Sequence, residues 1–192
     1  MITGSHDATI KLWDLRMGKT TSTLTYHKKS IRAMAMHPTQ FAFASASADN
    51  LKKFQLPTGV FLHNFLAQQK AIVNSLALNP EGVLVSGADN GSLWFWDWKS
   101  GHCFQQAETL AQPGSLDSEA AVFASTFDAT GSRLITCEAD KTIKFWKEAR
   151  GLSSSILRLL LQPNPTTRFQ DLDATPETHP INFKPPKDMR RY

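Results

Sequence analysis

Residues 5–15 read Ser5-His6-Asp7-Ala8-Thr9-Ile10-Lys11-Leu12-Trp13-Asp14-Leu15. Asp7 sits in a tight turn, and the run from Thr9 to Trp13 alternates polar with apolar before ending on Trp13-Asp14. Alternation with a period of two marks a strand, because successive side chains point to opposite faces of a sheet. The pattern returns as SADNLKKFQL around Asp49, GADNGSLWFWDW around Asp89 and EADKTIKFWKE around Asp140. These four aspartates are spaced by 42, 40 and 51 residues. A period near forty with a Trp-Asp ending is the mark of propeller repeats, four strands to a blade.

The second repeat is the fullest. Ser30–Met36 puts Ile31, Ala33 and Ala35 on one face, and His37-Pro38-Thr39-Gln40 is a turn into Phe41–Ser45. Ala48-Asp49-Asn50 turns into Leu51–Gln55, and Pro57-Thr58-Gly59 turns into Val60–Phe65. The third repeat copies it with Ile72–Leu78, Val83–Ser86, Leu93–Trp98 and Cys103–Gln106. The fourth carries an extra stretch, Glu108–Glu119, expected as a loop, and resumes at Val122–Phe127, Arg133–Thr136 and Thr142–Trp146. In the first repeat Met1-Ile2-Thr3 aligns with the second strand of a blade. The expected fold is therefore all-β, a partial propeller of about three and a half four-stranded blades over residues 1–148. Because propellers hide strand edges by closing with roughly four to eight blades, the chain is expected to be the C-terminal half of a longer one. Residues 149–173 break the pattern as a non-repeat insert, with a short amphipathic helix expected over Ser155–Leu161. Residues 174–192 are Pro-rich and basic at the end, and are expected to be extended.

The 192 residues are 41% hydrophobic and 20% charged, with a net charge of +4, an ordinary globular balance. The first residues lack the layout of a secretory signal, and the longest apolar cluster, near Ile156–Leu161, is too short to cross a bilayer. Cys103 and Cys137 show no metal spacing and read as small buried hydrophobes. Ser5-His6-Asp7 lists the residue types of a hydrolytic triad, but neighbours on a strand and turn point apart and cannot form the required chain of hydrogen bonds. Gly87 to Gly91 is a turn, not a phosphate cradle, because no strand–loop–helix with Lys-Ser/Thr follows. The sequence thus points to no enzyme, no cofactor, no metal site, no small-molecule substrate and no membrane. Lys28-Lys29 with Arg32, and Lys52-Lys53, read as solvated basic pairs, with indirect contact to RNA or acidic protein as the sharper alternative.

The repeat, its turn aspartate and its Trp-Asp ending resemble the WD-repeat family. In that family a His before the first strand bonds the turn Asp, a Ser or Thr on the second strand bonds the His, and a Trp on the third strand completes the network. The resemblance places His27, Ser45 and Asp49 in this structural network, with Phe54 in place of Trp. It gives partial sets of Thr3, Asp7 and Trp13 in the first repeat, of Asp89 and Trp96 with Gln68 near the His position in the third, and of Thr136, Asp140 and Trp146 in the last. Missing His partners imply that the third and fourth blades are less rigidly tied. Trp13-Asp14-Leu15-Arg16 resembles the Trp-Asp-x-Arg motif of WD proteins that serve as substrate receptors of cullin–RING ubiquitin ligases, in which the Arg reaches the adaptor.

More specific stretches are TLTYHKKSIRAMAMHP, LVSGADNGSLWFWDWKSGHCFQQ, QPGSLDSEA, EADKTIKFWKE and ATPETHPINFKPP. Together they resemble the C-terminal half of the pleiotropic-regulator family in its plant form. That resemblance implies a WD-repeat scaffold of the spliceosomal nineteen complex, acting in pre-mRNA splicing in the nucleus. Protein partners would meet the rim loops around His6, Lys28, Lys29, Asn50 and Asn90. Residues 151–173 depart from the family, which runs almost directly from the last repeat into the tail.

Overall fold

The computed structural model describes residues 1–147; the expected insert, its helix and the extended tail lie outside them. Among the described residues fourteen strands form four antiparallel meanders, each joined by short turns as sequential antiparallel strands allow. The first sheet is β1 (Ile2–Gly4), β2 (Ile10–Asp14) and β3 (Lys19–Leu24). The second is β4 (Ile31–Met36), β5 (Ala42–Ser47), β6 (Leu51–Gln55) and β7 (Val60–Asn64). The third is β8 (Val73–Leu78), β9 (Val83–Ala88), β10 (Ser92–Asp97) and β11 (Cys103–Glu108). The fourth is β12 (Val122–Phe127), β13 (Arg133–Glu138) and β14 (Ile143–Lys147). This is the partial WD40-type propeller, and among the described residues the only helix is a 3-10 turn at Asp117–Glu119, within the long loop of the fourth repeat.

Three apolar clusters fill the three spaces between successive sheets. Ile10, Leu12 and Leu24 meet Ile31, Phe43 and Phe54. Ala42, Ala44, Ala46 and Leu51 meet Leu84 and Trp96. Val83, Val85, Leu93 and Phe95 meet Val122, Leu134 and Trp146. Neighbouring residues on one strand serve different clusters: Phe43 faces the first sheet while Ala42 and Ala44 face the third. A blade between two others is buried on both faces, so all six residues of β5 and of β9 are buried. Each large side chain fully buried here contributes roughly 1.5–3 kcal/mol. Sheet spacing is set partly by small residues: a Cβ on Gly87 would lie 2.6 Å from Val122 Cγ1, so β9 approaches β12 only because residue 87 has none.

Lys52 and Lys53 are buried, not solvated as their sequence position implies. Lys52 donates to Asn64 Oδ1 at 2.7 Å, and Lys53 donates to the Trp98 carbonyl at 2.8 Å with its ammonium 4.4 Å from the Trp98 ring centre. The apolar stems pack between blades while the heads find acceptors. Burial pushes the Lys53 ammonium below its ordinary value, with Asp97 opposing. Trp98 also donates to Gln40 Oε1 at 2.8 Å, which pins the second sheet to the third at the end opposite the aspartate turns. The cysteines also differ from their reading as buried hydrophobes: Cys103 is half-buried and Cys137 is exposed on β13.

Candidate interaction rim and the hydroxyl relays behind it

The β1–β2, β5–β6, β9–β10 and β13–β14 turns lie at one end of the sheets, with the loops that lead into β4, β8 and β12. Hydrogen bonds link the last three of these turns to a loop: Lys28 N–H to Asp49 Oδ2, Ile72 N–H to Asp89 Oδ1, and Gln112 N–H to Asp140 Oδ2. His6, Lys28, Lys29 and Asn90 are exposed at this end and Asn50 is half-buried. The two asparagines are occupied within their turns, Asn50 Oδ1 by Leu51 N–H and Asn90 Oδ1 by Ser92 N–H and Oγ–H. Trp13, Asp14 and Arg16 lie at the opposite end. Asp14 Oδ1 accepts from Arg16 N–H at 2.8 Å, capping the β2–β3 turn and leaving the Arg16 side chain exposed.

Behind the rim, the strand that leads into each aspartate turn carries a hydroxyl that accounts for most of the network residues. In the second sheet Ser45 donates to His27 Nε2 at 2.6 Å, and His27 Nδ1–H donates to Asp49 Oδ1 at 3.1 Å. A carboxylate accepts only, so Nδ1 carries the proton. The order of bonds is that of a hydrolytic triad. Ser45, however, is fully buried and His27 is 6% exposed, so no substrate reaches the hydroxyl. Burial holds the His27 imidazole below its ordinary value, against the opposing pull of Asp49, which keeps it neutral near pH 7. Burial pushes the Asp49 carboxyl up, but the hydrogen bonds it accepts, among them those from Lys28 N–H and His27, outweigh this and hold it below the usual range.

In the third sheet Trp96 Nε1–H donates to Ser86 Oγ at 2.9 Å, and Ser86 donates to Gln69 Oε1 at 2.7 Å. Gln69, not Gln68, fills the His place; Gln68 reaches the Asp49 carbonyl from the surface instead. Gln69 goes on to donate to Ser92 O and Oγ. Asp89 also stands one residue away from its expected place. Asp7 and Asp140 each lie four residues after the relay hydroxyl and bond the N–H and hydroxyl of Thr9 and Thr142. The residue four after Ser86 is Asn90, which does the same with Ser92. The next residue is left-handed in all three turns: Ala8 (φ 66°), Lys141 (φ 68°) and Gly91 (φ 80°). Gly91 is also sterically required, since a Cβ there would lie 2.7 Å from the Ala120 carbonyl oxygen.

In the fourth sheet Trp146 Nε1–H donates to Thr136 Oγ1 at 2.8 Å, and Thr136 donates to Glu138 Oε1 at 3.0 Å. The Glu138 side chain is buried and pairs with Lys144, whose ammonium also reaches the Leu110 carbonyl and lies 3.5 Å from Asp140 Oδ2. Gln112 from the long loop closes the set, donating through Nε2 to the Asp140 carbonyl at 2.9 Å. Burial pushes the Glu138 carboxyl up, with Lys144 and Thr136 opposing. The third and fourth sheets are thus tied through Gln69 and through Glu138–Lys144, so the loose attachment inferred from their missing histidines does not hold. In the first sheet Trp13 Nε1–H donates to Thr3 Oγ1 at 2.8 Å.

Where β4, β8 and β12 converge at this end is an open hollow of about 480 Å³, lined by Arg32, Ile72, Asn74, Asp89 and Phe123. Arg32, Asn74 and Phe123 are the extra residues at three β-bulges, which break the register between Ile31 and Ala33, Val73 and Ser75, and Val122 and Ala124. A bulge re-aims a side chain away from the ladder. The sequence signal for these residues is faint: each follows the first apolar residue of the first strand. Among the described residues no cluster of three or more His, Cys, Asp or Glu side chains is placed to hold a metal ion.

Four sheets with a Trp-bonded hydroxyl or its variant behind an aspartate turn define a repeat protein of the WD class. The chain belongs to the family described as WD domain, G-beta repeat, which matches residues 1–14, 18–51, 59–97 and 111–147. Within it the chain is 58% identical over 175 residues to Protein pleiotropic regulator PRL2 of Arabidopsis thaliana, covering 91% of this chain and 32% of that protein. It is 50% identical over 153 residues to Pleiotropic regulator 1 of Homo sapiens, covering 80% of this chain and 25% of that protein. It is 40% identical over 175 residues to Pre-mRNA-splicing factor PRP46 of Candida glabrata, covering 91% of this chain and 36% of that protein. The chain therefore spans about a quarter to a third of the length of these relatives.

Proposed function

We propose that this chain is a non-catalytic docking segment of the nuclear pre-mRNA splicing machinery, meeting protein components of the nineteen complex through the rim of its blades. The observation that carries this reading is the similarity across all four repeats to proteins named pleiotropic regulators and a pre-mRNA-splicing factor. The geometry supports docking over catalysis. The triad-like set of Ser45, His27 and Asp49 is sealed inside a blade, and its hydroxyl recurs in every sheet as an internal fastening. Contact with RNA is indirect in this reading, because the rim mixes Lys28 and Lys29 with exposed Asp7 and Asp89. Nothing beyond the four-residue motif favours a ubiquitin-ligase role for Arg16. The test is capture from nuclear extract with the full chain as bait. Splicing proteins should be recovered and should persist with Arg16→Ala. Recovery of only a ligase adaptor, lost with Arg16→Ala, would overturn the proposal.

A further inference from the structure

We propose that the β9–β10 turn is a self-modification site, at which Asn90 loses ammonia in water and the folded turn steers the product to aspartate rather than isoaspartate. This goes beyond the docking reading and does not depend on it. Asn90-Gly91 is the single Asn-Gly step in the chain. The Asn90 side chain is exposed, and Gly91 carries no side chain to obstruct attack of its backbone nitrogen on Asn90 Cγ. Asn90 Oδ1 accepts from Ser92 N–H at 3.1 Å and from Ser92 Oγ–H at 2.6 Å. Both donate to the oxygen that gathers negative charge as Cγ is attacked, the arrangement of an oxyanion hole. They also hold the side chain against its own backbone, so the reacting groups have little freedom left to lose. The Gly91 N–H, which ring closure removes, makes a long bond of 3.2 Å to the Ala88 carbonyl.

The step needs only water and involves no change of oxidation state. The Gly91 nitrogen gives its proton to hydroxide and bonds to Asn90 Cγ. The Cγ–Nδ2 bond then breaks, and Nδ2 takes up a proton from water and leaves as ammonia. The product is a succinimide ring closed on the Asn90–Gly91 peptide. Water next adds its oxygen to one of the two ring carbonyls, and the ring nitrogen recovers a proton as its bond to that carbon breaks. Attack at Cγ gives aspartate, whereas attack at the main-chain carbonyl of residue 90 gives isoaspartate, whose chain runs through Cβ. The Ser92 donors serve the Cγ oxygen and so favour aspartate. The fold accepts that product: Asp7 and Asp140 hold the equivalent places in the first and fourth sheets and bond Thr9 and Thr142 as Asn90 bonds Ser92. Isoaspartate lengthens the turn by one backbone atom, against the Thr109 N–H to Gly91 carbonyl bond of 2.9 Å and the pairing of Leu93 with Gly87. Conversion to aspartate thus adds a negative charge beside exposed Asp89 at the rim and keeps the sheet.

The test holds the full chain at mildly alkaline pH, folded in buffer or unfolded in guanidinium chloride. Samples taken over time are read by peptide mass spectrometry, with fragmentation that tells aspartate from isoaspartate. In the folded chain Asn90 should convert before Asn50, Asn64, Asn74 and Asn79, with aspartate as the main product; in the unfolded chain isoaspartate should dominate. Ser92→Ala should slow the conversion about fivefold, the worth of one net hydrogen bond, and raise the isoaspartate share. Ser92→Thr, which keeps the hydroxyl, should restore both. Asn90→Asp should keep native tryptophan fluorescence and its melting transition, a readout that stands even if Ser92→Ala does not fold. Earlier conversion of another asparagine, the same product ratio folded and unfolded, an unchanged rate in a folded Ser92→Ala chain, or loss of the native fold in Asn90→Asp would each overturn the proposal.

Discussion

The second and fourth sheets solve one geometric problem with opposite chemistry. Both carry a buried hydroxyl on the second strand and an aspartate turn four residues on, and both must connect the two to an incoming loop. The second sheet uses a neutral ring, His27, supplied by the loop itself. The fourth turns Glu138 inward from its own strand and neutralises it with Lys144, so the loop contributes Gln112. The indole donor is present in the fourth as Trp146 and absent from the second, where Phe54 packs against Phe43 and Tyr26 instead. What recurs is the position of a hydroxyl and the need to satisfy it. The residue that satisfies it is free to differ.

The third sheet supplies the reference for the indole. Trp96 is fully buried, donates to Ser86 and lies in the cluster between the second and third sheets. Trp96→Ala should have the largest effect, about 3–5 kcal/mol, measured by urea unfolding. Trp96→Phe recreates the arrangement at Phe54. If it costs as much as Trp96→Ala, the hydroxyl cannot do without its indole and the second sheet has a compensation not identified among its contacts.

Glu138→Ala comes next. It leaves the Lys144 ammonium short of its main partner and Thr136 without an acceptor, and breaking a buried pair costs about 3 kcal/mol or more. Asp49→Ala leaves His27 Nδ1–H and Lys28 N–H without their acceptor, at about 1–3 kcal/mol. The ordering is the prediction. Equal costs would mean that the charged and neutral relays are energetically interchangeable.

The repeat and its strands were legible in the sequence because burial between flat sheets imposes a period of two, and the turns use residues with few other roles. The His27–Ser45–Asp49 set was legible through family resemblance. The fastenings of the other sheets were not. Gln69 and Gln68 are adjacent, and only the path of the loop decides which enters the blade. Asp89 and Asn90 are also adjacent, and counting from the preceding aspartate conceals that the second-sheet turn is one residue shorter. Glu138 and Lys52 look solvated by composition, since charge on an alternating strand usually faces water. Between two blades there is no water-facing side, so such residues are buried and paired.

A smaller effect is expected in the turns. Ala8 and Lys141 are left-handed without being glycine, a conformation that costs about 1 kcal/mol or more. Ala8→Gly and Lys141→Gly should each raise the melting temperature slightly, by the relief of that strain less the added freedom of the unfolded chain. Gly91→Ala should lower it, because the same turn in the third sheet leaves no space for a Cβ.

The smallest effect, and the one that separates the two relays most directly, is that of pH. His27 sits below its ordinary value of 6.5 in the folded chain. As pH falls below about 6.5 the unfolded chain takes up a proton that the folded ring resists, so the stability from this relay declines. Glu138 sits above its ordinary value of 4.5, so as pH falls through its folded value the folded chain takes up the proton first. Its relay is therefore relieved of a buried charge as pH falls through that value, the opposite sign to His27. Hydrogen exchange between pH 7 and pH 5, corrected for intrinsic rates, should show the Lys28 amide losing protection, because it donates to Asp49 beside His27. The Gln112 amide, which donates to Asp140 beside Lys144, should hold or gain protection. Parallel loss at both amides would show that the two relays open together with the whole propeller segment, and that their chemistry, however different, does not set local stability.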